Sequence, residues 1–258
     1  MISFMQLGKF GQMSNQFFEI SCVIGTSLKY NTDYTFNEWE YNKYLETPIP
    51  TGRNKNFLSY NEPCFHYKEI KFTTMEKNWD LKGYYQSEKY FEHCKPKIRE
   101  QFRLKKKYID YIMDKYPFLN DENTCSIHIR RGDFLQFKEY HNTQPLEYYN
   151  QAINRLYPDN KSDINFIVCS DDIGWCKENL PRLNINLTFI EGEENIIDLN
   201  ILSMCKDNIM SASSFSWWGS WLNDNPNKRV VAPKNWFGPL YVNKHNICDL
   251  IPENWIVI

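Results

Sequence analysis

In the second half of the chain, segments with a strand-type pattern of apolar residues alternate with segments that have a helix-type pattern. Residues 125–130 alternate between apolar and polar side chains, which is typical of a half-buried strand, and other segments repeat apolar residues every three to four positions, as helices do. Strands that alternate with helices predict a parallel sheet covered by helices, in the α/β class. The predicted elements are strand 125–130, helix 145–157, strand 164–170, helix 173–180, strand 187–192, helix 196–206, strand 207–213, helix 215–223 and strand 229–233.

The first half repeats this pattern in part. Residues 2–7 predict a strand, "GKFGQMSNQ" a glycine-containing turn, and residues 16–30 a helix. "KGYYQSEKYF" predicts a short strand that leads into a helix capped by Ser87. A further helix should end at Tyr116-Pro117, before the polar residues 120–124. We therefore predict two domains, 1–122 and 123–258.

Composition limits the classes of function. The chain has 258 residues and a formal net charge of -2, so no whole-protein field favours nucleic acid, and any anion site must be local. The eight cysteines form no Cys-x-x-Cys pair, which favours reduced thiols and argues against a zinc site. Met1 leads directly into a predicted strand rather than into a signal peptide or membrane anchor. We expect a cytoplasmic protein without a transmembrane segment.

The loop "RRGDF" carries the first candidate site. Arg130 lies where its strand ends, with His128 on the same face, and ligands of parallel sheets bind at such strand ends. A guanidinium can hold two phosphate oxygens while His128 adds a hydrogen bond, which predicts a diphosphate site. One alternative is that one arginine pairs with Asp133 and the other lies along the surface. Another is an adhesion tripeptide, Arg131-Gly132-Asp133, although that function needs an exposed loop tip.

Two further segments place polar groups beside predicted strand ends. "SASSFSWW" places Ser213 and Ser214 at a helix start, where free N–H groups can bind an anion, although an ordinary capped helix with core tryptophans explains the same pattern. "ENIIDLNILSMC" places Asp198 in an apolar run, where guanine N1–H and N2–H2 would be suitable partners for its carboxylate. From the residues alone, a helix cap or a salt bridge is the simpler interpretation of Asp198.

Together with the N-terminal loop, these motifs resemble the inverting α-1,2-fucosyltransferases of glycosyltransferase family 11, and more distantly the core α-1,6 and protein O-fucosyltransferases. The resemblance implies a GT-B fold, with two Rossmann-like domains facing across a cleft. It assigns the acceptor side to residues 1–122 and GDP-fucose mainly to residues 123–258. The matching segments are "GQMSNQFFE", "GYYQSEKYF", "SIHIRRGDF", "IVCSDDIGWCK", "SASSFSWWGSWLN", "VVAPKNWF" and "DLIPENWIVI".

The resemblance also implies a role for each matching residue. Arg130 corresponds to the diphosphate-binding arginine, with Arg131 beside it in the donor site, and His128 to the adjacent histidine. Asp198 corresponds to the guanine-binding acid. Asn15 and Gln16 match the Asn-Gln pair of the N-terminal loop. The residues near the β-phosphate are Ser213, Ser214 and Phe215. The catalytic candidates are Arg130, Asn15, His128 and Asp133.

The implied reaction is transfer of L-fucose from GDP-fucose to the 2-OH of a terminal β-galactoside, with no cofactor. The chain contains no Asp-x-Asp metal motif, so Arg130 and the helix start would stabilise the departing diphosphate. The base stays open among Asp133, Glu88 and His66, since Asn15 could only orient the acceptor.

Several alternatives remain. A transferase of different donor or linkage is one, and a non-catalytic glycan-binding protein is a less favoured one. We expect GDP-fucose and a glycan as partners and no nucleic acid, and the sequence leaves open both peripheral membrane contact and the oligomeric state.

Overall fold

The computed structural model describes residues 1–52 and 56–258, and the chain folds as two units. Unit 1 contains Met1–Ile109 and His245–Pro252, and unit 2 contains Asp110–Lys244 and Glu253–Ile258. This division differs from the predicted boundary at 122/123, because the polar stretch 120–124 joins a helical turn to a strand within unit 2. The sequence pattern also did not indicate that a C-terminal segment returns to unit 1.

Unit 1 is built on a four-stranded parallel sheet. Its strands are β1 (Ile2–Phe4), β2 (Tyr34–Phe36), β3 (Phe57–Asn61) and β4 (Asn78–Lys82), in the order β2–β1–β4–β3. Helix α1 (Met13–Lys29) follows β1, and helix α2 (Lys95–Gln101) follows β4. The predicted turn between strand and helix is confirmed, and Gly8 and Gly11 adopt the positive φ angles of +79° and +67° that it needs.

The prediction for "KGYYQSEKYF" is wrong in two respects. The strand ends at Lys82, the first residue of this segment, and Ser87 caps a short 3₁₀ turn (Glu88–Tyr90) by accepting a hydrogen bond from the Lys89 N–H. The α-helix begins only at Lys95, because Pro96 has no N–H to donate and is tolerated only in a first helical turn.

Unit 2 contains a six-stranded parallel sheet in the order β10–β9–β8–β5–β6–β7. The strands are β5 (Thr124–Ile129), β6 (Asn165–Ser170), β7 (Asn186–Phe189), β8 (Asp207–Ile209), β9 (Val230–Ala232) and β10 (Ile256–Val257). The helices after α2 are α3 (Lys106–Lys115), α4 (Gly132–Gln136), α5 (Leu146–Leu156), α6 (Ile173–Asn179), α7 (Asn195–Met204), α8 (Ser214–Leu222) and α9 (Pro239–Val242).

The predicted strand and helix order of unit 2 is confirmed. Every residue of β5 is buried, and its apolar face packs against side chains of α5 and β6 such as Tyr149 and Phe166. The tryptophans of α8 are core residues, as the apolar pattern indicated. None of the helices in residues 1–52 and 56–258 has both the length and the apolar character needed to cross a bilayer.

Gly25 lets helix α1 approach the segment after β4 closely. A Cβ at this position would lie 2.3 Å from the Tyr90 carbonyl oxygen and 3.1 Å from the Phe91 Cα. Both neighbours are backbone atoms, so a side chain at Gly25 would force the two segments apart. Gly174 in α6 offers a contrast, because no atom lies within 4 Å of the corresponding position.

Replacing Gly25 with Ala should destabilise the protein by about 1 to 3 kcal/mol, since overpacking against backbone cannot be relieved by a rotamer change. Gly174→Ala, a matched control in another helix, should be stabilising by up to about 1 kcal/mol because alanine loses less conformational entropy. Thermal unfolding followed by circular dichroism measures both. Equal melting temperatures for the two variants would contradict the close approach at Gly25.

Candidate active site

Three loops of unit 2 meet at one edge of its sheet. Strand β5 pairs in parallel with both β6 and β8, so the loops that follow these strands leave the sheet side by side. They are residues 130–133, 170–172 and 210–213. These loops contain four of the candidates from the sequence, Arg130, Arg131, Asp133 and Ser213, and His128 and Ser214 adjoin them.

Arg130 binds two carboxylates in the first two loops. One terminal nitrogen lies 2.8 Å from Asp133 Oδ1 and the other 3.3 Å from Asp171 Oδ2, while the guanidinium lies over the Phe134 ring. The alternative in which one arginine pairs with Asp133 is therefore correct only in its first half: Arg130 makes this pair, whereas Arg131 is held by Asp172 and Trp175 instead of lying along the surface. The Asp133 side chain is 49% exposed, and ion pairs with exposed carboxylates contribute only about 0 to 1 kcal/mol. A phosphate anion can compete for this arginine.

Arg131 supports the loop. Its Nε lies 3.1 Å from Asp172 Oδ2, and its guanidinium lies 4.0 Å from the centre of the Trp175 ring. Asp172 also accepts the Trp175 N–H as the N-cap of α6. The predicted donor-binding role of Arg131 has no support in these contacts, because its side chain is held by Asp172 and Trp175.

Asp171 joins the first two loops and is a residue that sequence reasoning did not select for the site. Its Oδ1 accepts the Arg131 backbone N–H at 2.8 Å, and its Oδ2 contacts Arg130. Gly132 makes this approach feasible, because a Cβ there would lie 2.5 Å from Asp171 Oδ2. The adjacent acidic pair after β6 was a visible signal, but its partners are 40 residues away in sequence.

His128 connects β5 to the loop after β8. It is buried, its Nδ1 lies 2.8 Å from the Ser211 hydroxyl, and its ring centre lies 5.0 Å from that of Phe215. Burial, and then the nearby Arg130 charge, lower the pKa of His128 to about 3. The imidazole is therefore neutral at pH 7 and acts through hydrogen bonding rather than charge.

Ser213 begins helix α8, as predicted. Its backbone is extended, and its hydroxyl accepts the Phe215 N–H at 3.2 Å. Ser214 is the first helical residue, and Ser216 ties the turn together by donating to the carbonyls of Ser211 and Ser213. The start of α8 thus lies beside His128. Strand β5 separates β8, which precedes this helix, from β6.

Asp198 is neither a helix cap nor half of a salt bridge among the described residues. It occupies the second half of the first turn of α7, and its Oδ1 is buried without a hydrogen-bond partner in residues 1–52 and 56–258. Burial, and secondarily Glu193, raise the pKa of Asp198 to about 7. Helix α7 follows β7 at the carboxyl edge of the sheet, so Asp198 in its first turn lies at this edge. The simpler interpretation of Asp198 from sequence was wrong.

Asn15 and Gln16 lie in unit 1, in the first turn of α1. Asn15 Oδ1 accepts a hydrogen bond from Gln86 Nε2 at 2.8 Å. Gln16 is buried, donates to the Gly11 carbonyl and accepts from Trp39 Nε1, so its function is to hold the turn. Asn15 is the more exposed of the two and remains the candidate.

The other base candidates have local partners. Glu88 pairs with Lys95 at 2.7 Å, and the His66 ring lies 3.5 Å from the Cys64 sulfur. Across residues 1–52 and 56–258, no three His, Cys, Asp or Glu side chains form a group that could hold a metal ion.

A model of glycosyl transferase family 11 matches residues 22–258, which include all three loops of unit 2. The chain belongs to glycosyltransferase family 11. The resemblance predicted from the motifs is thereby confirmed. Asn15 and its turn precede the matched region.

Curated relatives of this family 11 chain act in sugar transfer. It is 36% identical over 148 residues to the O-antigen biosynthesis glycosyltransferase WbnK of Escherichia coli, covering 55% of the chain and 47% of the relative. It is 32% identical to an Escherichia coli alpha-1,2-colitosyltransferase, covering 72% and 64%. It is 26% identical to galactoside alpha-(1,2)-fucosyltransferase 1 of Bos taurus, covering 63% and 46%. The chain thus spans about half to two thirds of the length of these relatives.

Solved structures share the fold at low identity. The apo form of POFUT1 superposes with a TM-score of 0.57 at 11% identity, covering 89% of this chain and 96% of that one. The alpha-1,6-fucosyltransferase NodZ, in a crystal soaked with GDP-fucose, gives a TM-score of 0.54 at 11% identity, covering 86% and 91%. With two parallel sheets in the chain, these neighbours confirm the predicted α/β fold of the GT-B type.

Proposed function

We propose that this family 11 enzyme is an inverting, metal-independent α-1,2-fucosyltransferase that moves L-fucose from GDP-fucose to the 2-OH of a terminal β-galactoside. The observation that carries the proposal is the meeting of Arg130 with the start of α8 at neighbouring strand ends, joined by His128 and Ser211. The linkage is supported by two relatives named for alpha-1,2 transfer, and the donor by a structural neighbour soaked with GDP-fucose.

The chemistry requires stabilisation of a leaving group. As the bond to fucose breaks, negative charge grows on the diphosphate and the sugar becomes oxocarbenium-like, so fixed positive charge and N–H donors lower the barrier. Arg130 would exchange Asp133 for phosphate oxygens, which it can bind with two parallel hydrogen bonds. The N–H groups at the start of α8 would serve the β-phosphate, with Ser213, Ser214 and Phe215 around it.

Asp198 would bind the guanine. Its buried oxygen lacks a partner among the described residues, and an unpaired buried acceptor is costly unless a ligand satisfies it. Guanine N1–H and N2–H2 are two adjacent donors, which match the two oxygens of one carboxylate. The start of α7 after β7 and the loop after β5 lie at the carboxyl edge of one parallel sheet, so Asp198 and Arg130 lie at the same edge.

Inversion is a single displacement, in which a base accepts the proton of the acceptor hydroxyl. We assign the base to Asp133, because donor binding would free this exposed carboxylate from Arg130. Asn15 would orient the acceptor, since an amide can hydrogen-bond a hydroxyl but cannot remove its proton.

A second candidate is transfer of another GDP-linked sugar. It is favoured by the alpha-1,2-colitosyltransferase, whose similarity covers 72% of this chain. A screen of GDP-fucose against other nucleotide sugars, with a panel of β-galactoside acceptors and the product linkage read by NMR, tests the proposal. If product forms only from another nucleotide sugar, that sugar and not fucose is the one transferred.

Arg130→Ala should lower kcat by roughly a hundredfold or more, because it removes a charge-stabilising donor from the leaving group. Steady-state kinetics with GDP-fucose and lactose measure the effect. Arg131→Ala should lower kcat less, and Arg182→Ala, at an exposed position before β7, should leave it unchanged. Near-native turnover of a folded Arg130→Ala protein would exclude the diphosphate role.

Activity should persist in excess EDTA. The chain lacks an Asp-x-Asp motif, and Arg130 with the α8 start would provide the positive potential that a divalent metal provides in other nucleotide-sugar enzymes. Initial rates with and without EDTA, followed by addition of Mn²⁺, test this. Loss of activity that Mn²⁺ restores would show that the charge assignment is wrong.

Asp198→Asn should weaken GDP binding by about 1 to 3 kcal/mol, because one of two acceptors becomes a donor that faces a guanine donor. Binding of inorganic pyrophosphate, which has no base, should hardly change. Isothermal titration of both ligands into the folded variant separates the base contact from a general loss of the site. Unchanged GDP affinity would show that Asp198 does not bind the guanine base.

The Asp198 carboxylate should also make GDP affinity depend on pH. Since burial and Glu193 raise the pKa of Asp198 to about 7, lowering the pH through neutrality protonates it and removes one guanine acceptor. GDP affinity of the wild type, relative to pyrophosphate, should therefore fall between about pH 8 and about pH 6, and that of Asp198→Asn should not.

A further inference from the structure

The loop after β4 has an unusual backbone. Gly83 has a φ of +151°, and Tyr85 has a φ of +50° although it is not glycine. Tyr85 is fully buried, and its hydroxyl lies within hydrogen-bond distance of the Tyr60 and Lys82 carbonyls. A strained conformation of this kind persists only where its surroundings hold it, and it is typical of functional loops.

Glu62 holds this loop in place. Its Oε2 accepts the Tyr84 N–H at 2.7 Å, and its Oε1 accepts the Tyr85 N–H at 2.9 Å. Gly83 makes the contact feasible, because a Cβ there would lie 2.3 Å from the Glu62 Cβ. One carboxylate at the end of β3 therefore satisfies two successive N–H groups of the neighbouring strand's loop.

The loop exposes the aromatic ring of Tyr84 and holds the buried Gln86 amide against Asn15. Tyr84 is 37% exposed, and its ring stacks on Phe10 from the loop after β1, with centres 4.6 Å apart. Gln86 donates to Asn15 at the start of α1. Since β1 and β4 are adjacent parallel strands, both loops leave the same edge of the unit 1 sheet. The side chains of Phe10, Tyr84, Asn15 and Gln86 thus form a cluster of two rings and two amides, all four of them uncharged.

Such a cluster suits a neutral sugar. The C–H face of a pyranose packs on an aromatic ring, while its hydroxyls both donate to and accept from amide groups. A phosphate or carboxylate ligand would instead require positive charge, which these side chains do not provide. Binding sites for small neutral molecules commonly combine aromatic walls with a few well-placed polar groups.

We propose that Phe10, Tyr84, Asn15 and Gln86 form the subsite for the pyranose ring of the acceptor, and that Glu62 is a positioning residue that holds the subsite in shape. The inference rests on the proposed function and adds to it the part of unit 1 that recognises the acceptor. Tyr85 lies outside the subsite, because it is fully buried and anchors the loop through its hydroxyl contacts with the Tyr60 and Lys82 carbonyls.

Phe10→Ala and Tyr84→Ala should each raise KM for lactose by about fivefold to tenfold, because each removes an aromatic contact worth roughly one order of magnitude at most. KM for GDP-fucose, and the slow hydrolysis of GDP-fucose in the absence of acceptor, should stay within about twofold. Leu58→Ala is the matched control, because Leu58 is 39% exposed on β3 of the same sheet but lies outside the cluster. It should change none of these values.

Glu62→Gln tests the positioning role. The variant keeps the size of the side chain but turns an amide N–H₂ towards one of the two backbone N–H groups, so the loop should lose its fixed geometry. We expect KM for lactose to rise while GDP-fucose hydrolysis is retained. A purely structural role would instead lower the melting temperature and reduce hydrolysis and transfer together.

Saturation transfer difference NMR with lactose measures acceptor binding without turnover. Signals that are present for the wild type and weakened in Phe10→Ala and Tyr84→Ala support the subsite. Equal signals for wild type and variants, or none for the wild type, overturn it. Failure of the proposed function is distinguishable, because a wild type that neither binds GDP nor hydrolyses GDP-fucose fails at the donor, whatever the lactose spectra show.

Discussion

Strand β5 is hydrogen-bonded along both edges by parallel partners, and every residue in it is buried. This arrangement determines where the polar chemistry of unit 2 can lie. A parallel strand directs its carboxyl end to the same edge as its neighbours, so the arginines after β5, the acids after β6 and the serines after β8 have to meet. The hydrogen bond between His128 and Ser211 and the contacts of Asp171 with the first loop follow from that pairing.

The two consecutive arginines, Arg130 and Arg131, have different contacts and therefore different roles. Arg131 is stacked on Trp175 and held by Asp172, which itself caps α6, so moving it would disturb a helix start. Arg130 is bound by partly exposed carboxylates on one short loop and one strand end. Identical side chains next to one another therefore differ in how readily they can exchange a protein partner for an incoming anion.

Periodicity predicted most of unit 2, because buried parallel strands and amphipathic helices have strong local patterns. It also predicted that His128 and Arg130 share a face and that Ser213 begins a helix, since both follow from local geometry. One of the two partners of Arg130, Asp171, lies 41 positions away along the chain, and no local pattern encodes that contact. The same limit applies to Glu62 and its loop. Asp198 was misjudged for a related reason: its pattern revealed burial but could not show that, among residues 1–52 and 56–258, no basic side chain pairs with it.

The path of the chain between the units has a consequence for synthesis. Residues His245–Pro252 belong to unit 1, and within that unit Asp249 accepts the Tyr67 N–H and pairs with Lys89. The sequence then returns to unit 2, where β10 completes the edge of the sheet beside β9. During translation, unit 1 lacks this segment until nearly all of unit 2 has left the ribosome. The N-terminal unit therefore cannot reach its final form until residues 245–252 have been made, after almost all of unit 2.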